Sequence, residues 1–151
     1  MKVKIFLISV CLFCTCTVLA QNKLFEKYAN MDDVTSIYIS KAMFQMISDL
    51  SKTTKGINFA DMENKIESLQ IITCEKRDKI KQMQKEFAQL VSKQYQELMR
   101  ITDNEEDIKF YADMQESKIK ELILLSEEKD SFTVIRLVGN IDLQDVLNFK
   151  K

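Results

Sequence analysis

From Tyr95 onward the chain stops repeating every three to four residues and begins to alternate, and its last two alternating stretches are apolar on both sides. In residues 119–125, Ile119, Ile123 and Leu125 fall on one face of an extended strand and Leu122 and Leu124 on the other. In residues 132–138, Phe132, Val134 and Val138 likewise oppose Ile135 and Leu137. An antiparallel sheet with one solvated face alternates apolar with polar residues. Two apolar faces need cover on both sides: from the N-terminal segment, from a partner or from a second copy.

The earlier part of the chain supplies helices and strands in turn. Leu24, Phe25 and Tyr28 lie at helical spacing in a short polar lead-in and predict a brief first helix. Residues 34–39 are β-branched and aromatic and read as a strand, after which Ser40 is a candidate N-cap for a helix carrying Ala42, Met43, Met46, Ile47 and Leu50. A polar turn covers 51–56, a helical turn is expected over 61–66, and a second strand over 69–74. Residues 76–94 place Ile80, Met83, Phe87, Leu90 and Val91 on one side, with lysines over most of the rest, and predict an amphipathic helix.

Next come a strand over 95–102, a turn at 103–106 and a segment at 108–112 whose pattern fits strand or helix, strand being preferred. Residues 119–125 and 132–138 complete the strands. Gly139-Asn140 is expected to break the last of them, and Asp142 to cap a short final helix with Leu143, Val146, Leu147 and Phe149. This order predicts an α+β domain: a largely antiparallel sheet with a C-terminal β-meander, two main helices packed on one face and a short C-terminal helix.

The N-terminus reads differently. Lys2 and Lys4 precede an uncharged run over 5–19, and Val18 and Ala20 stand where a signal peptidase requires small residues. The expectation is a signal peptide over 1–20, cleaved between Ala20 and Gln21, and a single α+β domain over 21–151. The run of 15 is shorter than the roughly 20 residues that span a bilayer as a helix, so no transmembrane span is expected after cleavage. Cys11, Cys14 and Cys16 lack the flanking residues of a lipidated cysteine, so a lipid anchor is disfavoured. Export implies a periplasmic or secreted product. Removing Lys2 and Lys4 leaves 20 basic against 23 acidic side chains, and only Cys74 among the four cysteines. The mature domain therefore has no internal disulfide, and its charge gives no footprint for nucleic acid.

The chain has no histidine, which removes imidazole catalysis, Ser-His and Cys-His nucleophiles and histidine metal sites. One mature cysteine cannot build a thiolate metal site, and two isolated glycines, Gly56 and Gly139, make no phosphate-binding loop. Four features bear weaker signals. The acidic run 103–107 lacks the Gly and Glu of a calcium loop at the required positions and reads as a solvated turn. Ser117-Lys-Ile-Lys120 matches Ser-x-x-Lys, but the accompanying acyl-transfer motifs are absent. Cys74 sits in an apolar run and reads as a small buried hydrophobe. Lys76, Arg77, Lys79, Lys81 and Lys85 give one helix a basic side interrupted by Asp78 and Glu86.

No catalytic, cofactor-binding or metal residues emerge. The expected function is that of a non-catalytic protein acting through an unknown envelope protein or through itself. The alternatives are a hydrolase using Ser/Lys or carboxylates and a carrier of a small apolar ligand.

Several segments carry a resemblance: 34–43 (VTSIYISKAM), 95–100 (YQELMR), 118–125 (KIKELILL) and the ending Gly139-Asn-Ile-Asp-Leu143. Together they resemble the domain-of-unknown-function 4252 family, small exported proteins of Gram-negative bacterial envelopes, over about residues 25–149. The resemblance implies export and a single domain, supports the β-meander, and brings no catalytic or binding residues. Members often place a glycine in the turn before the Lys-Glu-Leu strand, whereas residues 114–117 here contain none.

Overall fold

The computed structural model describes residues 22–51 and 64–142. A first helix, α1 (22–29), is followed by β1 (Val34–Ser40), α2 (Lys41–Ser51), β2 (Ile66–Cys74), α3 (Arg77–Gln94), β3 (Gln96–Thr102), β4 (Glu106–Gln115), β5 (Lys118–Glu128) and β6 (Phe132–Asp142). The six strands form one antiparallel sheet in the order β1-β2-β6-β5-β4-β3. The fold is α+β. Strands β3 to β6 form the expected meander, and β2 and β1 extend it beyond β6.

One face of the sheet is sealed by a core centred on Phe87. In α3 the buried residues Ile80, Met83, Phe87 and Val91 recur every three or four positions and so share one side of the helix. They meet Ile72 and Cys74 of β2, Phe132 and Val134 of β6, and Ile123 and Leu125 of β5. Helix α1 adds Phe25 and Tyr28, both 1% exposed. The Phe87 ring lies 5.1 Å from Phe25 edge-on, 5.5 Å from Tyr28 and 6.5 Å from Phe132, within the range of favourable aromatic pairs. Helix α2 begins as its cap suggests, with the Met43 N–H donating to Ser40 Oγ at 3.4 Å. Met43 and Met46 on α2 are exposed and stand outside this core.

Residues 108–112 are strand, as preferred, because pairing with β3 and β5 sets Ile108, Phe110 and Ala112 on one face and Lys109 and Tyr111 on the other. Three expectations change. Asn64 and Lys65 form a turn and Ile66 already opens β2, so the helical turn does not extend to Ile66. Ile119 departs from the face of Ile123 and Leu125. Against β4, β5 carries an extra residue between Ile119 and Glu121, and Ile119 joins a second cluster with Ala112 and Ile141 instead. Finally, β6 continues through Gly139 and Asn140 to Asp142. The short C-terminal helix expected after Asp142 lies outside the described residues.

Gly139 explains how β6 continues. Its φ is not positive, so it supplies space and not an unusual backbone angle. A Cβ there would run into the Lys65 carbonyl oxygen, the same oxygen that accepts the Asn140 N–H at 2.7 Å. The β4–β5 turn shows the converse. Glu116 holds φ 58, the left-handed conformation in which a glycine would be unstrained. Gly139→Ala is therefore expected to cost about 2–3 kcal/mol through backbone overlap. Glu116→Gly is expected to gain about 0.5–1 kcal/mol by relieving the turn. Urea unfolding of both variants checks this pair of opposite signs.

Candidate functional site

The face of the sheet opposite α1 and α3 is assembled from register alone. Residues paired directly across antiparallel strands share a face, and three such rows cross all six strands. The central row is Ile37, Ile71, Ile135, Leu124, Phe110 and Met99. On one side of it run Ile39, Leu69, Leu137, Leu122, Ala112 and Gln96; on the other, Thr35, Thr73, Thr133, Ser126, Ile108 and Ile101. None of these eighteen positions carries a charge, in a chain that is 30% charged. An ordinary solvated sheet face would carry several.

Burial varies along the rows. At the sheet edges Ile37, Met99 and Ile101 are 47%, 49% and 46% exposed. The intervening Ile71, Ile135, Leu124 and Phe110 are half-buried. Toward the β4–β5 turn the face closes: Ala112, Ile119 and Ile141 are buried, with Leu98, Met114, Leu122 and Leu137 packed against them. Thr73 and Thr133 share a hydrogen bond between their hydroxyls at 3.1 Å, and the Ser126 hydroxyl of the same row donates to the Glu106 carboxylate at 2.6 Å.

Charges concentrate on the helix side and around the hairpin ends. Lys109 bridges Asp107 at 2.7 Å and Glu127 at 3.3 Å. The hydrogen bond from Lys109, then that from Thr102, holds the Asp107 carboxyl below its usual range. The hydrogen bond to Asp107 raises Lys109 despite desolvation. Arg136 pairs with the buried Glu121 and lies 4.7 Å over the Phe25 ring, closing one end of the core. Burial, followed by the nearby Glu86 and Glu121 carboxylates respectively, pushes the Tyr28 and Tyr95 hydroxyls far up. Both phenols are neutral at any physiological pH, which suits a structural place in the core.

The candidate residues of the sequence do not converge. Ser117 lies in the β4–β5 turn, while Lys120 is on β5 and donates to Asn140 Oδ1 at 3.0 Å. The acidic run is a hairpin turn in which Asp103 accepts the N–H groups of Glu105 and Glu106 at 2.8 and 3.0 Å, lowering its pKa. With residues 127–131 it borders an open trough of about 1010 Å³. Among the described residues no group of three or more His, Cys, Asp or Glu side chains is placed to hold a metal ion. Cys74 is fully buried. Lys76 and Lys79 pair with Asp33, and Arg77 with Asp130, so much of the basic helix side is already neutralised. Ala20 and Gln21 lie outside the described residues. Among the described residues no helix is long and apolar enough to cross a membrane.

The alternation of 119–125 and 132–138 pointed to the second face, but it did not reveal its extent. Ile37, Phe110, Met99 and Ile101 join it only through pairing across strands distant in sequence.

The profile of a family described as a domain of unknown function, DUF4252, matches residues 28–149. The chain belongs to the DUF4252 family. No curated protein and no solved structure matches it.

The carboxylates set the response to pH. Hydrogen bonds from the Glu105 and Glu106 amides lower Asp103, and those from Lys109 and Thr102 lower Asp107. A carboxyl held low in the folded state contributes stability that is present above its unfolded pKa of about 3.9 and is lost as pH falls through the folded value. With no histidine to titrate, stability should be flat from about pH 6 to 8 and decline below about pH 4. Urea midpoints measured across pH 3–8 check this, and a transition centred between pH 6 and 7 would contradict it.

Proposed function

We propose that this chain is an exported, non-catalytic protein of the bacterial envelope that works by holding a protein against the second face of its sheet. The observation that carries this reading is the set of eighteen uncharged positions crossing six strands. Large exposed apolar patches on soluble proteins mark interaction sites, because leaving them in water is unfavourable and burying them drives association. The threonine and serine row at one margin supplies a polar rim, and the isoleucines, leucines and Phe110 supply the apolar centre, which is the layout of a protein interface. The hydrolase reading has less support, since Lys120 Nζ is engaged by Asn140 Oδ1 and Ser117 sits in the β4–β5 turn. A carrier reading needs an apolar cavity, and the trough at the hairpin ends is bordered mainly by carboxylates.

Export rests on the N-terminal sequence. The processed protein is expected to begin at Gln21, and a mass corresponding to a lipidated Cys14 or Cys16 would make it membrane-tethered instead.

The binding reading is tested by affinity capture from the envelope with the wild-type protein and a Met99→Glu/Ile101→Glu variant. Both positions are about half exposed on an edge strand, so the fold should tolerate the change. Loss of the captured protein with unchanged circular dichroism is expected. Equal capture by the variant would overturn the assignment to this face.

A further inference from the structure

The two edges of the sheet are not equally protected. An edge strand presents unpaired N–H and C=O groups, and proteins blunt such edges with charges, bulges or proline. Strand β3 is blunted: its pairing with β4 slips between Glu97 and Met99, and Glu97 and Arg100 form an ion pair on it at 2.8 Å. Strand β1 has no such device. Val34–Ser40 contains no charge and no proline, and it pairs with β2 at all seven positions in unbroken register. Four of its residues in succession, Thr35 to Tyr38, are exposed, with Ile37 at 47% and Tyr38 at 66%. Among the described residues no strand lies beyond it.

We propose that two copies of this chain pair antiparallel along β1 about a two-fold axis at Ile37, joining their sheets into one of twelve strands. The inference deepens the binding reading above, on which it rests, by naming one partner and the edge it uses. Two features favour a second copy as the occupant. An uncharged strand meets its own copy without repulsion, as an isologous contact requires. In this register Ile37 faces Ile37 of the other copy, so the central apolar row passes from one sheet into the next without a break. Centring the axis on Ser36 or Tyr38 instead breaks the isoleucine row.

The test uses the processed protein isolated from an exporting host. Sedimentation equilibrium over about 1–100 μM is expected to show a reversible dimer. Ile37→Lys places two like charges opposite each other at the axis, and it should weaken the dimer at least tenfold with unchanged circular dichroism. Residues directly opposite across an antiparallel pair bring their Cβ atoms to about 4.5–5.5 Å, near disulfide reach. Ile37→Cys should therefore cross-link to a covalent dimer on mild oxidation, and Met99→Cys on the other edge should not. Cys74 is fully buried and does not interfere. A monomer across the whole range, or equal cross-linking at Met99, would overturn the proposal. A monomer whose envelope capture is still abolished by Met99→Glu/Ile101→Glu would sink self-pairing and leave the binding reading standing.

Discussion

Phe87 is the contact on which the arrangement depends. Projecting from the middle of α3, it touches rings from α1 on one side and from β6 on the other, and so fixes both helices to the sheet at once. The stripe it belongs to covers β2, β6 and β5. A helix is about 10 Å across and strands are spaced about 4.8 Å apart, so one long helix seals two or three strands of six. The edge strands β1 and β3 fall outside this cover. The protein thus has a sheet wider than its helical layer, and Ser36 and Tyr38, on the helix side of β1, are exposed where that cover runs out.

The opposite face presents the same mismatch in another form. A sheet made of strands apolar on both sides must bury both or leave one available. Here the charged groups are confined to the helix side and the hairpin ends, where Lys109, Asp107 and Glu127 or Arg136 and Glu121 satisfy one another. The eighteen paired positions of the second face carry none of them, and the Glu106 carboxylate reaches only its margin, at Ser126. That segregation is what separates it from the scattered surface apolar residues common to soluble proteins.

Much of this was legible in the chain itself. The α3 stripe, the alternation after Tyr95 and the apolar character of both sides of β5 and β6 follow from local periodicity. What local pattern could not supply was register. The slip beside Ile119 moves that residue to the other face, and nothing in the string Ile119-Lys-Glu121 announces it. The passage of β6 through Gly139 depends on the backbone of Lys65, more than seventy positions earlier. Gly139-Asn140 resembles a strand terminator, yet the missing side chain is what lets the strand continue. The membership of Ile37 and Met99 in one row likewise arises from five successive pairings. The family relationship adds no site residues, so the functional reading stands on the surface itself.

On the proposed reading the second face is open to a partner, while α1 and α3 cover the centre of the first. Methyl resonances report this directly when a soluble paramagnetic probe is added to the processed protein. The methyl groups of Ile71, Ile135 and Leu124 should broaden strongly, while those of Ile72, Ile123 and Val134 remain sharp. Equal protection of both sets would mean that the chain already covers its own second face, and would contradict the account.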